Sequence, residues 1–68
     1  MGYYFPMIDK NKLKKIRESK DLSTRELARR AQISTQTVHA LEHTDQQPSV
    51  RTLAKIARAL GVEVKDFF

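Results

Sequence analysis

Between Asp9 and Gly61 the chain contains one proline, Pro48, and no glycine. Its stops in that stretch are Asp9, Ser23, Ser34 and Ser49. Each stands directly before a run in which apolar residues return every three or four positions. Punctuation of this kind predicts short helices joined by tight connections, and it leaves no place for a sheet. The first helix is expected over about Lys10 to Lys20, with Asp9 as its cap and Leu13 and Ile16 as a narrow apolar stripe. Ser23 and Glu26 form a capping box for the second, in which hydroxyl and carboxylate each satisfy the other's backbone amide. Leu22 and Leu27 are spaced as a hydrophobic staple across that cap, and Ala28 and Ala31 follow on the same face. Ser34 caps the third helix, stapled by Ile33 and Val38, with Val38 and Leu41 buried and its end near His43 or Thr44. The fourth follows Ser49 and carries the best stripe, Leu53, Ile56, Ala57 and Leu60. Gly61 ends it. A fifth, from about Glu63 to Phe68, offers Val64 and Phe67 to the core.

The expected fold is therefore all-α, five helices in one domain over residues 9–68, preceded by an aromatic arm, residues 1–8, that Pro6 keeps extended. Sixty-eight residues bury only one thin core, which argues against a shaped active site and hence against an enzyme. There is no cysteine, so disulfides and thiolate metal sites are excluded. No apolar run approaches the length of a membrane span, and no signal-peptide layout is visible. Thirteen basic residues against eight acidic give a net charge of +5, which points toward a polyanionic partner.

The second and third helices carry the most information. Ala31 ends one and Ser34 caps the next, with only Gln32 and Ile33 between. Helices joined so closely must cross steeply, as in a helix-turn-helix. Ala28 and Ala31 are small enough to let them meet, and Leu27, Ile33, Val38 and Leu41 supply the apolar anchors.

The segments Leu22 to Ala28, Ile33 to Glu42 and Pro48 to Val62 together resemble the Cro and phage-repressor type of helix-turn-helix domain, the XRE family. The resemblance covers about Asp9 to Phe68. It implies a five-helix, lambda-repressor-like fold and a sequence-specific regulator of transcription, more often a repressor, that inserts its third helix into the major groove of double-stranded DNA. It also implies a cytoplasmic protein of bacterial or phage origin that needs no cofactor. The chain departs from the family pattern at Gln32, where a glycine is common at positive φ, and at Thr44, another frequent glycine. A third departure is the loop Asp45–Gln47, which has no cation for the DNA backbone.

With Val38 and Leu41 inward, Thr35, Gln36, His39, Ala40 and His43 face outward. Base contacts are expected from Thr35, Gln36, His39 and Ala40. Gln36 leads, because its amide can pair with adenine in two places, and Ala40 can meet a thymine methyl. Phosphate contacts are expected from Thr24 and Arg25 at the start of helix two, from Ser34 and Thr37 at the start of helix three, and from His43. Capping alone would explain Ser34. The resemblance implies a structural ion pair between Arg17 and Glu42. Residues 9–30 carry nine basic and four acidic groups, residues 31–50 none and two, and residues 51–68 four and two. Attraction to DNA must then come from helices one, two and four.

His39 to His43 also reads H-x-x-E-H, a zinc-peptidase pattern. The chain has no further histidine to complete a metal site, and the resemblance assigns Glu42 to the fold. A membrane-surface role for helix one fails on the width of its apolar stripe. The serious rival is an interaction module of the same fold, such as an antitoxin or co-regulator, that binds a regulatory protein partner and has weak or no DNA binding. A single domain of this type reads few base pairs, so a homodimer on half-sites is expected. Its contact is expected from the arm Tyr3 to Ile8 or from Val64, Phe67 and Phe68.

Overall fold

A computed structural model describes residues 7–68. It contains four α-helices and one short 3-10 turn: α1 Lys10–Ser19, α2 Thr24–Ala31, α3 Thr35–His43, α4 Val50–Leu60, and the turn Val64–Phe67. Among the described residues there is no strand, and no helix is long and apolar enough to cross a membrane. Most of the predicted arm, residues 1–6, lies outside the described residues. Of the rest of it, Ile8 belongs to the core.

All four α-helices start as their sequence dictates. Asp9, Ser23, Ser34 and Ser49 hold extended backbone, and each side chain accepts an amide hydrogen of the first turn. The capping box forms in full: the Glu26 amide donates to Ser23 Oγ at 3.1 Å, and the Ser23 amide donates to Glu26 Oε1 at 3.0 Å.

Three helix ends share one device. Asp21, Gln32 and Gly61 sit in the left-handed region at φ 58°, 58° and 70°. The next residue in each case, Leu22, Ile33 or Val62, donates its amide hydrogen back to the carbonyl of Arg17, Ala28 or Ala57. The apolar side chain that follows the reversal is thus directed back onto the core.

The expected fifth α-helix is a 3-10 turn instead. After Gly61 the backbone bonds run from Asp66 to Glu63 and from Phe68 to Lys65, three residues apart. The Glu63 amide is capped by Asp66 Oδ2 at 2.9 Å, and the tight winding drives Phe67 to full burial. Phe67 is therefore core and not dimer surface. Its carbonyl also accepts from the Asp9 amide at 2.7 Å, which ties the start of α1 to the far end of the chain.

Leu13, Leu27, Val38, Ile56 and Phe67 form the driest part of the core. α2 packs against both α3 and α4, and α1 lies across α3 and the 3-10 turn. α3 is consequently held from behind, with its far side in solvent.

Candidate nucleic-acid interface

The orientation of α3 follows from what it buries. Val38, Leu41 and Glu42 are turned inward. At 3.6 residues per turn, the opposite surface is then Gln36, His39, Ala40 and His43. Thr35, Gln36, His39 and His43 are exposed, and Ala40 is half-buried.

Glu42 is the anchor behind that surface. The Arg17 guanidinium grips its carboxylate through two parallel bonds, Nε to Oε2 at 2.7 Å and Nη2 to Oε1 at 3.0 Å. Nη1 donates to the Leu22 carbonyl at 2.7 Å. One side chain of α1 thus fixes both the α1–α2 connection and the inner face of α3. The bond to Glu42 holds Arg17 more firmly charged than an ordinary arginine, against burial, which acts the other way. No buried side-chain polar atom among the described residues lacks a partner. With Glu42 so engaged, the H-x-x-E-H pattern has no free carboxylate. Among the described residues no group of three potential metal ligands comes together.

The exposed side of α3 stands between two clefts. One, of about 610 Å³, lies against α2 and is lined by Ser23, Arg25, Glu26, Arg29, Ser34 and Thr35. The other, of about 440 Å³, lies against the start of α4 and includes Gln36, Thr37, Ala40, Gln46, Ser49 and Thr52. The first turns of α2 and α3 border the first cleft, and those of α3 and α4 border the second. Amide-rich, positive helix ends therefore face both sides of the α3 ridge.

The caps leave hydrogens to give. Ser34 Oγ accepts from the Thr37 amide at 3.0 Å and lies 2.7 Å from Thr37 Oγ1. Whichever hydroxyl donates across that pair, the other keeps a hydrogen. In the second cleft Ser49 Oγ donates to Thr52 Oγ1 at 3.0 Å, so the Thr52 hydrogen is unspent there.

Charge is arranged around the ridge and not on it. α3 carries no lysine or arginine, and its two imidazoles, His39 and His43, lie with centroids 4.2 Å apart and planes tilted by 36°. Asp45, in the cation-free loop after α3, is paired with Lys10 at 3.0 Å. Glu26 lines the α2 cleft, but its charge is directed into the cap. The Ser23 amide and then the Ser23 hydroxyl hold its carboxyl below the usual range, with smaller help from Arg30 and Arg29.

The residues expected to meet phosphate are spread over this surface. Arg25 and Ser34 line the α2 cleft, Thr37 is half-buried in the other, and His43 is on the ridge. Thr24 is half-buried and outside the lining of either cleft. Arg29 was not expected there, yet it shares the first cleft with Arg25. Its spacing of four residues from Arg25 was the available signal.

Comparison with known proteins gives a consistent picture. A family model described as helix-turn-helix matches residues 13–67. An uncharacterized HTH-type transcriptional regulator of Methanocaldococcus jannaschii is 39% identical over 59 residues, covering 87% of this chain and 89% of the relative. The crystal structure of the restriction-modification controller protein C.AhdI from Aeromonas hydrophila superposes with a TM-score of 0.83 at 27% identity, covering 87% of this chain and 89% of that one. HEPD of Streptomyces albus, solved with 2-hydroxyethylphosphonate and Fe(II), also superposes with a TM-score of 0.83 at 27% identity. There 97% of this chain corresponds to 15% of the larger protein.

Proposed function

The chain belongs to the helix-turn-helix family, and from that premise we propose that it is a sequence-specific DNA-binding regulator, acting as a repressor, that lays α3 into the major groove. One observation carries the reading. α3 is an exposed ridge, backed by the Arg17–Glu42 grip and flanked on both sides by clefts into which helix N-termini open. A ridge between two donor-lined troughs suits a groove between two phosphate strands.

In this reading Gln36 reads a base with its amide, and Thr35, His39 and Ala40 complete the base-facing row. Arg25, Ser34, Thr37 and His43 touch phosphate, with Arg29 added and Thr24 in a lesser place. The domain spans residues 9–68 together with Ile8, and the protein works in the cytoplasm. Binding is by a homodimer. Its surface is the apolar patch of Met7, Val50 and Phe68, in which Val50 is 86% exposed although it opens α4. Open apolar area of this kind on so small a domain favours association.

The second reading keeps the fold and gives it a protein partner instead of DNA. It is favoured by the absence of lysine and arginine from α3 and by the use of the same fold within HEPD. Selection of bound duplexes from a random pool, for the native chain and for Gln36→Ala, separates the two. DNA reading predicts a palindromic motif that loses information at one position per half-site. Recovery of no motif from folded protein would assign the surface to a partner protein.

A further inference from the structure

The solvent side of α4 is a second charged surface, separate from the ridge. Leu53, Ile56, Ala57 and Leu60 face the core, which turns Arg51, Lys55 and Arg58 outward at spacings of four and three residues. With Arg30 of α2 they rim a cleft of about 410 Å³ whose floor includes Ala54 and Ala59. None of the four cations has a carboxylate within ion-pair distance among the described residues. α4 contains no acidic residue, and Glu26, one turn before Arg30, has its carboxylate bonded to the Ser23 amide.

This arrangement costs the fold stability. Like charges three and four residues apart repel along a helix. Arg51 also stands in the first turn of α4, where the helix dipole disfavours a cation. Nothing in the packing needs these charges, since all three α4 side chains are exposed.

We propose that this face docks an acidic amphipathic helix of another protein, with carboxylates meeting Arg51, Lys55 and Arg58 and small apolar side chains covering Ala54 and Ala59. The cations rise along α4 by about 6 Å and then about 4.5 Å, the steps at which a facing helix repeats its own side chains. The small, neutral Ala54 and Ala59 among the cations favour a helix with apolar side chains over a nucleic acid, whose hold would rest chiefly on the charges. None of these residues lies on the α3 ridge, and the proposal takes the α4 cations out of the expected attraction to DNA, leaving that to α1 and α2.

The test uses two synthetic peptides of identical composition. One places glutamates at positions i, i+4 and i+7 with alanine and leucine on the adjoining stripe, and the other scrambles that order. Binding is followed by fluorescence anisotropy for the native chain, for Lys55→Gln/Arg58→Gln, and for Ala54→Gln, which fills the floor without changing charge. The patterned peptide is expected to bind better than the scrambled one. It should weaken about fivefold or more with the double variant, and should weaken with Ala54→Gln as well. Circular dichroism checks that the variants, which alter solvent-facing positions only, stay folded. Equal binding of both peptides, or indifference to Ala54→Gln, would reduce the face to plain charge and overturn the proposal. So would a double variant that lowers the salt dependence of duplex binding by about two phosphate contacts, for then the stripe serves nucleic acid.

Discussion

Arg17 holds Glu42 from beneath α3 by a two-pronged bond, 2.7 Å and 3.0 Å, with the Glu42 side chain fully buried. The pair ties α1 to the inner face of α3, behind the ridge. Removing one member strands the other's charge away from water, which costs far more than the intact pair contributes. Glu42→Ala should lower stability by about 3 kcal/mol, whereas Arg17→Met with Glu42→Leu should recover most of that loss. Chemical denaturation of the single and double variants checks this, and additive losses would show that the two side chains are not coupled.

Arg29 and Arg25 share the cleft on the α2 side of the ridge. A phosphate contact contributes to affinity without regard to sequence and carries a salt dependence of about 0.9 in the log–log slope. Arg29→Ala should therefore weaken every duplex alike and shrink that slope by about one contact, with the selected motif unchanged. An altered motif with the slope intact would move Arg29 from the backbone to a base edge.

Gln32 and Gly61 close their helices with the same backbone twist, at φ 58° and 70°. A Cβ in this region costs about 1 kcal/mol through contact with its own carbonyl. Gln32→Gly should stabilise the fold by somewhat less than that, because glycine also frees the unfolded chain. Gly61→Ala should destabilise by somewhat less than about 1 kcal/mol, because alanine also restricts the unfolded chain. A Cβ there would meet no neighbour within 4 Å, so the whole cost is backbone strain. Urea midpoints of the two variants moving in the same direction would contradict this account.

Glu26 links stability to acid. Its carboxyl is held below the ordinary value of 4.5 by the Ser23 amide, the Ser23 hydroxyl and the nearby arginines. A group whose folded value is lowered binds its proton less readily when folded, so its contribution is present above the unfolded value and is lost as pH falls through the folded one. Glu26→Gln keeps a side chain that can close the capping box but cannot titrate. Melting temperatures of the variant should therefore fall less steeply below pH 4.5 than those of the native chain. Parallel acid limbs would remove Glu26 from the account.

Much of the fold was legible because its signals are local. Ser23 with Glu26, Ser34 with Thr37 and Ser49 with Thr52 act over three residues, and so they specify helix starts without reference to the rest of the chain. The stripe on α4 and the inward turn of Val38 and Leu41 are periodic, and periodicity survives folding unchanged. Asp21 was not legible in this way. Nothing in its neighbourhood marks a left-handed residue, and only the demand that Leu22 return to the core places it there. The last turn was misjudged for a related reason. Val64 to Phe67 looks helical, but its backbone bonds close three residues apart, and that tighter winding is what buries Phe67.

Capping and amphipathic period are properties of a few consecutive residues, so they mark where each α-helix begins and which face it buries, and hence turn Gln36, His39 and Ala40 outward. Only the packing of the helices shows that the Arg25–Arg29 face of α2 lies beside the ridge, that Lys10 of α1 pairs with Asp45 in the loop after α3, and that Arg30 meets the α4 stripe. Those relations depend on how helices cross, and crossing is set by side chains far apart in the chain packing at once.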